Sequence, residues 1–457
     1  MRSWPVGMVV ALVLIGCLSP GWAASDEKPD NSRLSDRPIP LQTKNFPKRP
    51  RLLLELGERF LSTGPLGRGV TIPTGATWQP ALWVFGTYRT GVQSFDNGPT
   101  LAEWTNRMDV FVNLRLSGTE RILLGLRPFN DRGDVGYIFR PTRNDGWQHN
   151  FTSQIQTLFF EGDIGELFPK LDSYDRRPFD IGFAVGRQAL VFQDGMLMND
   201  NMDAVGLTRN SLRPWGVTNI RITGLYGWNQ INRTDTIEDR SAQLIGLFTE
   251  TDTRASTINV DLAYVLAKAT TGDAFYAGVS GTQRLGEINT TFRVNASIPI
   301  DRQTVVASRG TLLSSEFSWT PPRTRNLLYF NTFWAIQSYS LVARDPGVDG
   351  PLGRIGILFA AAGMGQYGAA LSSQAQDAVG GSLGYQMLFT KTRRRQLILE
   401  VSGRKDTNRI DAGAAAIGMR YQHAVGRRML LQLDGFAATQ QRRDTAYGGR
   451  FETQVKF

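Results

Sequence analysis

Cysteine and histidine are almost absent from this chain, whose 457 residues include one cysteine and two histidines. The single cysteine, Cys17, excludes an intramolecular disulfide, and the sequence has no thiolate cluster to hold a metal. His149 and His423 lie far apart in the sequence, and no catalytic motif surrounds either of them. We therefore expect no enzymatic activity, no metal site and no cofactor.

Long hydrophobic runs are missing as well. Beyond the N-terminus the chain has no stretch of about eighteen consecutive apolar residues, which excludes a bundle of transmembrane helices. Glycine is abundant, at 48 residues, and aromatic residues make up 10% of the chain. This composition suits strands joined by turns better than helices. The length fits two or three ordinary domains or one large barrel.

The N-terminus has the pattern of a secretory signal over residues 1–23. Arg2 precedes an apolar core over residues 6–16, and Gly21 and Ala23 supply the small residues that a signal peptidase requires. A second interpretation stays open, because residues 14–17 (LIGC) also fit a lipobox in which Cys17 is lipidated. Both interpretations predict export from the cytoplasm.

Residues 24–79 form a lead-in whose first part is polar and rich in proline, which is typical of disorder. Residues 51–61 (RLLLELGERFL) fit either a short amphipathic helix or a strand. From about residue 80 to the end, apolar and polar residues alternate with a period of two, which predicts strands. In residues 288–298, for example, Phe292 and Val294 lie on one face and Arg293 on the other.

The alternating segments are about ten to fourteen residues long, which matches tilted membrane strands. Eighteen of them can be counted, with short turns at one end and longer loops at the other. The longest loops are 129–150 and 341–376, and the long turn 164–178 has room for a short helix. The predicted strands lie near 80–93, 105–117, 120–128, 151–163, 179–190, 202–210, 217–228, 240–250, 255–268, 273–284, 286–298, 310–320, 325–340, 377–389, 394–405, 410–423, 427–440 and 446–457.

Two further features indicate a membrane barrel. Aromatic residues gather near strand ends, as in an interfacial girdle. The chain ends GGRFETQVKF, a strand with one apolar face and a terminal Phe457 of the kind that the barrel assembly machinery recognises. We therefore predict an all-β fold in which residues 80–457 form a transmembrane antiparallel β-barrel of about 18 strands. The predicted location is a bacterial outer membrane. The aromatic residues are Tyr226, Trp228, Tyr264, Trp319, Trp334, Tyr385, Phe389 and Tyr421.

A barrel of this width leaves an aqueous lumen, and the alternation assigns more cations than anions to it. Arginine fits carboxylate and phosphate oxygens, so the excess predicts an anion-favouring pore. Pairing of these charges along the wall is the alternative. The net charge of +10 agrees in sign and also fits binding to lipopolysaccharide, whereas nucleic acid is not an expected partner. The assigned inward residues are Arg107, Arg115, Arg121, Arg127, Arg221, Arg293, Arg404, Arg420, Arg450 and Lys456, with Asp109, Asp261, Glu316, Glu400, Asp434 and Glu452.

The stretch 185–200 (VGRQALVFQDGMLMND) resembles a segment of the alginate-export family of outer-membrane channels. Gly186, Arg187 and Gln188 match the end of a strand in that segment, and Asp194 and Gly195 occupy its turn in reversed order. The resemblance implies a channel that passes an acidic polysaccharide or smaller anions. Arg187 carries over as a motif position, either in contact with substrate or as an anchor of the strand–loop junction.

The sequence therefore predicts a channel for anionic substrates that resembles alginate exporters. The alternative is a porin for uptake of small solutes such as phosphate or sugar acids. A loop 341–376 folded into the lumen would favour the porin, because it would narrow the pore. A membrane-embedded hydrolase and an adhesive barrel are less consistent with the sequence. The predicted pore-lining residues are Arg107, Arg115, Arg127, Arg187, Arg221, Arg293, Arg404 and Arg420.

Overall fold

The computed structural model describes most of the chain after the N-terminal region. The described residues are 49, 51–61, 67–96, 100–129, 135–139, 146–149, 151–171, 179–233, 236–268, 271–300, 306–390, 392–408, 412–441 and 443–457. The predicted signal over residues 1–23, with Cys17, lies outside them.

Eighteen antiparallel strands form one closed barrel. Each strand pairs with the next along the chain, and the last strand pairs with the first over Tyr447↔Asp96 to Lys456↔Thr87, which closes the sheet. Every segment that the sequence predicts as a strand overlaps one of them. The strands are β1 (Ala81–Asp96), β2 (Thr100–Arg115), β3 (Arg121–Leu126), β4 (Ile155–Asp163), β5 (Ile181–Phe192), β6 (Met198–Leu212), β7 (Asn219–Trp228), β8 (Gln243–Asp252), β9 (Ser256–Leu266), β10 (Ala274–Leu285), β11 (Ile288–Pro299), β12 (Gly310–Trp319), β13 (Leu327–Ser338), β14 (Gln376–Phe389), β15 (Arg395–Asp406), β16 (Gly413–Val425), β17 (Met429–Gln440) and β18 (Arg443–Lys456).

The outer face of the barrel is apolar and its inner face is polar, which is the reverse of a soluble protein. In β11 the apolar Phe292 and Val294 are 46% and 47% exposed, whereas the polar Arg293 and Asn295 are 3% and 0% exposed. Closure satisfies the backbone N–H and C=O groups of every strand, so the apolar outer face can meet hydrocarbon without unpaired polar groups. Among the described residues, no helix is long and apolar enough to cross a membrane.

The connections differ in length at the two ends of the barrel. At one end, called here the short-turn end, most strands are joined by tight turns such as the one at Gly426, whose φ of 63° favours glycine. The longest turn there holds a helix, Ile164–Leu167, as predicted for 164–178. Asp163 caps this helix, because its Oδ1 accepts hydrogen bonds from Gly165 N at 2.8 Å and Glu166 N at 3.4 Å. A 3-10 turn, Pro169–Leu171, follows.

The longer loops lie at the opposite end. After β2 and β3 a small hairpin, Val135–Ile138 with Gly146–Gln148, extends the sheet by pairing with Glu103–Asn106 of β2. Two other two-residue pairs stand outside the barrel sheet, Ile231–Asn232 with Glu238–Asp239 in the loop after β7, and Val70–Thr71 with Thr77–Trp78 before β1.

The segment over residues 51–61 contains a strand, Leu54–Leu56, and not a helix. It pairs with Leu82–Val84 of β1, beside the C-terminal end of β18. Leu54 and Leu56 are exposed, and they pair with apolar positions on the outer face of β1. The segment therefore continues the outer apolar face at the seam where the barrel closes.

Candidate functional site

The loop between β13 and β14, residues 339–375, folds into the barrel. Its side chains Leu352, Ile355 and Phe359 are completely buried. Two buried glutamates on distant strands hold its backbone. Glu400 on β15 accepts hydrogen bonds from Ile357 N at 2.9 Å and Leu358 N at 3.0 Å, and Glu103 on β2 accepts one from Gln366 N at 2.6 Å. Charged acceptors make these bonds strong, so they fix the loop across the lumen.

Arginines on the wall bind the carbonyl groups of the same loop. Arg107 Nη1 donates to Gly363 O at 2.6 Å, and Arg89 Nη2 donates to Ala362 O at 3.3 Å. On the other side, Arg404 Nη1 donates to two carbonyl oxygens of the loop, of Ser372 at 2.9 Å and of Gln374 at 2.6 Å. Two of the predicted pore-lining arginines, Arg107 and Arg404, therefore also hold the loop in place.

A second inward segment, residues 193–197, follows β5 and contains the QDG turn of the alginate-export-like stretch. Gln193 and Asp194 have φ values of 52° and 53°, and Gly195 has 83°. Asp194 Oδ2 accepts from Arg293 Nη2 at 2.5 Å, and Gln193 Nε2 donates to Asp261 Oδ2 at 2.7 Å. These contacts with β9 and β11 turn the segment towards the lumen.

The two inward segments are bound to each other. Val342 N donates to Leu197 O at 2.9 Å, and Tyr339 Oη donates to Met196 O at 2.8 Å. Met196, Leu197 and Val342 are completely buried. The barrel thus encloses apolar clusters of its own, and the inward segments form a packed constriction.

A cavity of about 1430 Å³ lies on the long-loop side of this constriction. Its described lining contains seven cationic side chains and four anionic ones, so its formal charge is positive. Burial raises the pKa of the Asp349 carboxyl. The cations are Arg107, Arg127, Arg187, Arg233, Arg240, Lys268 and Arg344, and the anions are Glu238, Asp239, Asp345 and Asp349.

Three of the predicted pore-lining arginines line this cavity. Arg107 Nε and Arg127 Nε share one carboxylate, that of Asp109, at 3.2 Å and 2.7 Å. Arg187 binds both oxygens of Asp203, at 2.9 Å and 3.2 Å, and donates to Ile155 O at 3.0 Å. Because two arginines share Asp109, this part of the wall keeps a positive excess.

The other five predicted arginines lie elsewhere on the inner wall. Arg115 contacts Glu58 and the ring of Trp83, and Arg221 pairs with Glu250 towards the short-turn end. Arg293 is buried beneath the second inward segment. Arg404 binds the loop and Asp406, and Arg420 Nε pairs with Asp434 at 2.6 Å. Whether any of the eight contacts a substrate stays a prediction.

Arg420 belongs to a belt of alternating charges on five inward side chains. Asp434 bridges Arg420 and Arg450 at 2.6 Å and 2.8 Å, and Glu452 bridges Arg450 and Arg89 at 3.0 Å and 2.6 Å. Here the charges pair along the wall, as the alternative interpretation of the sequence predicts. This belt therefore adds little net charge to the lumen.

Sequence reasoning missed four cations of the cavity, Arg233, Arg240, Lys268 and Arg344. All four lie in loops of the structure, where alternation with a period of two assigns no side. Arg233 is 1% exposed and donates to Gly272 O at 3.2 Å, and Arg344 N donates to Asn232 O at 2.8 Å. Within the described part of the chain, no group of three or more His, Cys, Asp or Glu side chains could hold a metal ion.

No family model and no curated protein matches this sequence. The fold, however, is that of solved outer-membrane porins. The chain superimposes on a BenF-like porin from Pseudomonas fluorescens Pf-5 with a TM-score of 0.56 and 9% identity, covering 82% of this chain and 98% of that one. For OccAB3 of Acinetobacter baumannii the TM-score is 0.56 and the identity 10%, over 82% and 99% of the two chains.

OpdK of Pseudomonas aeruginosa, solved with vanillate, is similar to the same degree. Its TM-score is 0.56 at 10% identity, over 82% of this chain and 98% of that one. At such low identity the likeness concerns the fold. It supports an 18-stranded outer-membrane barrel and gives no support to the alginate-export family.

Proposed function

We propose that this protein is a non-enzymatic outer-membrane channel through which small anionic solutes are taken up. The observation that carries the proposal is the loop over residues 339–375, which lies inside the barrel. It is held by Glu400 on one side and Glu103 on the other, so it narrows the lumen. A long polymer needs a wide unobstructed conduit, whereas a small solute needs only a short passage beside the loop. The porin alternative is therefore favoured over alginate export.

The charge of the cavity favours anions. The cavity presents seven cationic side chains against four anionic ones, and six of the cations are arginines. Guanidinium groups offer paired N–H donors that match the two oxygens of a carboxylate or phosphate. One protein of the same fold, OpdK, has been solved with vanillate, an aromatic carboxylate. Small carboxylates are accordingly the substrate class to test first.

The test is the reversal potential of the purified protein in a planar bilayer under a KCl gradient. We expect preference for chloride over potassium, and block by small carboxylates added on the long-loop side. Replacing Arg127 and Arg187 with glutamine should reduce the anion preference, because both line the cavity. Cation preference in the unmodified protein would refute the proposal.

A matched control removes the same charge from another part of the inner wall. Arg121 and Arg221 pair with Glu161 and Glu250 towards the short-turn end, away from the described lining of the cavity. The Arg121→Gln, Arg221→Gln variant should therefore keep its selectivity. Equal losses in both double variants would mean that the total charge of the lumen matters and the cavity does not. Block by oligouronates alone would restore the alginate-export hypothesis.

The location and assembly partner belong to the same proposal. Phe457 exchanges two backbone hydrogen bonds with Gly86 of β1, both at 3.0 Å, at the seam of the barrel. An assembly machine that holds the C-terminal strand until closure would release it at this contact. Lipopolysaccharide is the proposed lipid partner at the long-loop end, and the signal over residues 1–23 is the proposed export route.

A further inference from the structure

The outer face of β14 to β18 has a sharp boundary near the short-turn end. One row of outward residues, aligned by strand register, is apolar on all five strands: Met387, Leu397, Tyr421, Leu433 and Phe451. The next row towards the turns consists of Phe389, Arg395, His423, Leu431 and Thr453. The first polar groups therefore appear directly below the apolar face.

Arg395 and His423 form a cross-strand pair at this boundary. Arg395 Nε donates to His423 Nε2 at 3.2 Å, and the arginine is exposed. Arg395 lies beside Phe389, which is 41% exposed. A cation, an imidazole and an aromatic ring thus share one outward surface at the edge of the apolar face. Aromatic and basic residues at this depth are typical of contact with lipid headgroups.

The adjacent turns add further cations. Arg393 and Arg394 lie in the turn between β14 and β15, and Arg427 and Arg428 lie in the turn between β16 and β17; all four are exposed. Residues 387–399 and 419–433 contain no Asp or Glu. Neighbouring hairpins are about 10 Å apart, so the two turns present one continuous basic surface. We call this surface, with Arg395 and His423, the basic rim.

Other turns at the same end have mixed charge. Arg254 follows Asp252 after two residues, and Arg284 precedes Glu287 by three. Arg284 Nε donates to Gly286 O at 3.0 Å within its own turn. The basic rim is therefore a local feature, and the short-turn end is not uniformly basic.

We infer that the basic rim binds the phosphate of an anionic phospholipid whose acyl chains lie along Leu397, Tyr421 and Leu433. This inference rests on the proposed membrane location and goes beyond the channel function. Anionic lipid fits better than a free anion, because the cations stand directly below an exposed apolar surface that would remain for acyl chains. Arg394 and Arg395 would supply charge-assisted hydrogen bonds to the phosphate.

The test is native mass spectrometry of the full chain in detergent, titrated with dioleoylphosphatidylglycerol or with dioleoylphosphatidylcholine. Replacing Arg394 and Arg395 with glutamine should weaken phosphatidylglycerol binding roughly 25-fold, at about fivefold per cation, and leave phosphatidylcholine binding unchanged. The control variant Arg254→Gln, Arg284→Gln loses the same charge at the same end and should bind phosphatidylglycerol normally.

Two results would overturn the inference: an undiminished affinity in the Arg394→Gln, Arg395→Gln variant, or an equal loss in the control. Complete displacement of the lipid by inorganic phosphate would likewise overturn it, because the rim would then be only a free-anion site. If that variant fails to fold, Arg393→Gln with Arg394→Gln changes the turn alone and serves instead. Conductance distinguishes the channel proposal from the lipid proposal, because the basic rim lies outside the lumen. A variant that conducts normally but no longer binds the lipid would leave the channel proposal untouched and support the lipid site at the rim.

Discussion

Replacing Glu400 with alanine tests whether the inward loop is what narrows the lumen. The Glu400 side chain is 1% exposed and accepts backbone hydrogen bonds from Ile357 and Leu358 as well as one from Tyr329 Oη. Alanine would leave both loop N–H groups without this acceptor. A hydrogen bond to a charged group contributes about 1.5–3 kcal/mol, so the loop would lose about 3–6 kcal/mol of anchoring.

At the lower limit, 3 kcal/mol raises the population of the displaced loop about 100-fold relative to the folded-in state. Single-channel recording should then show a larger mean conductance and more open-channel noise than in the unmodified protein. Glu400→Gln keeps one carbonyl acceptor and should give an intermediate effect. Glu250→Ala removes a glutamate that pairs with Arg221 and has no part in the loop, so it serves as the control.

Unchanged conductance and noise in the Glu400→Ala variant would refute the reasoning. It would mean that the contacts of Glu103, Arg107 and Arg404 hold the loop without Glu400, or that the loop does not limit the current. Combining Glu400→Ala with Glu103→Ala, Arg107→Ala and Arg404→Ala distinguishes these two outcomes, because it removes all of these loop contacts. If this variant also conducts normally, the loop is not the constriction.

Three further predictions concern folding. Gly186 has a φ of 125°, and a Cβ there would lie 2.3 Å from Leu158 O. Gly186→Ala should therefore reduce the refolding yield in a heat-modifiability gel assay. Gly281→Ala is the control and should refold normally, because a Cβ there would have no atom within 4 Å. Arg293→Ala removes the buried partner of Glu316 and Asp194, whose own side chains are partly exposed, and should destabilise the barrel by about 1.5–3 kcal/mol per hydrogen bond lost in denaturant unfolding. A change below about 1 kcal/mol, the usual limit for a surface pair, would contradict a stabilising role of the buried arginine. Deleting Phe457 removes two hydrogen bonds at the seam and should slow barrel closure in lipid vesicles, and an unchanged folding rate would argue against a role in closure.

The strands could be predicted from the sequence because the two faces of a membrane barrel differ in polarity at every position. The alternation of polar and apolar residues also places Arg293 inward, and the structure agrees. Alternation could not predict what Arg293 binds, because its partner Asp194 lies in a turn 99 residues earlier in the chain. The inward course of that turn depends on positive φ values at Gln193 and Asp194, and the residue types at these two positions do not predict them.

The loop cations illustrate a second limit. Lys268 and Arg344 line the cavity, but their segments are irregular, so no period assigns them to the lumen. Leucines at 52, 53, 54 and 56 fit both the helical period of 3.6 and the strand period of two. The sequence therefore does not decide whether residues 51–61 form a helix or a strand. The unpaired edge of β1 beside the end of β18 decides in favour of the strand, and that edge exists only after closure.

The roles of the inward arginines follow from the width of the barrel. Eighteen strands enclose more space than side chains alone can fill, so backbone must enter the lumen to make a selective passage. Backbone inside a barrel needs partners for its N–H and C=O groups. Glu103 and Glu400 accept from the loop, and Arg107 and Arg404 donate to it. Part of the predicted pore charge therefore holds the constriction in place. Under the proposed function, we expect the selectivity of the channel to depend on the remaining cations around the cavity, among them Arg127, which shares the carboxylate of Asp109 with Arg107.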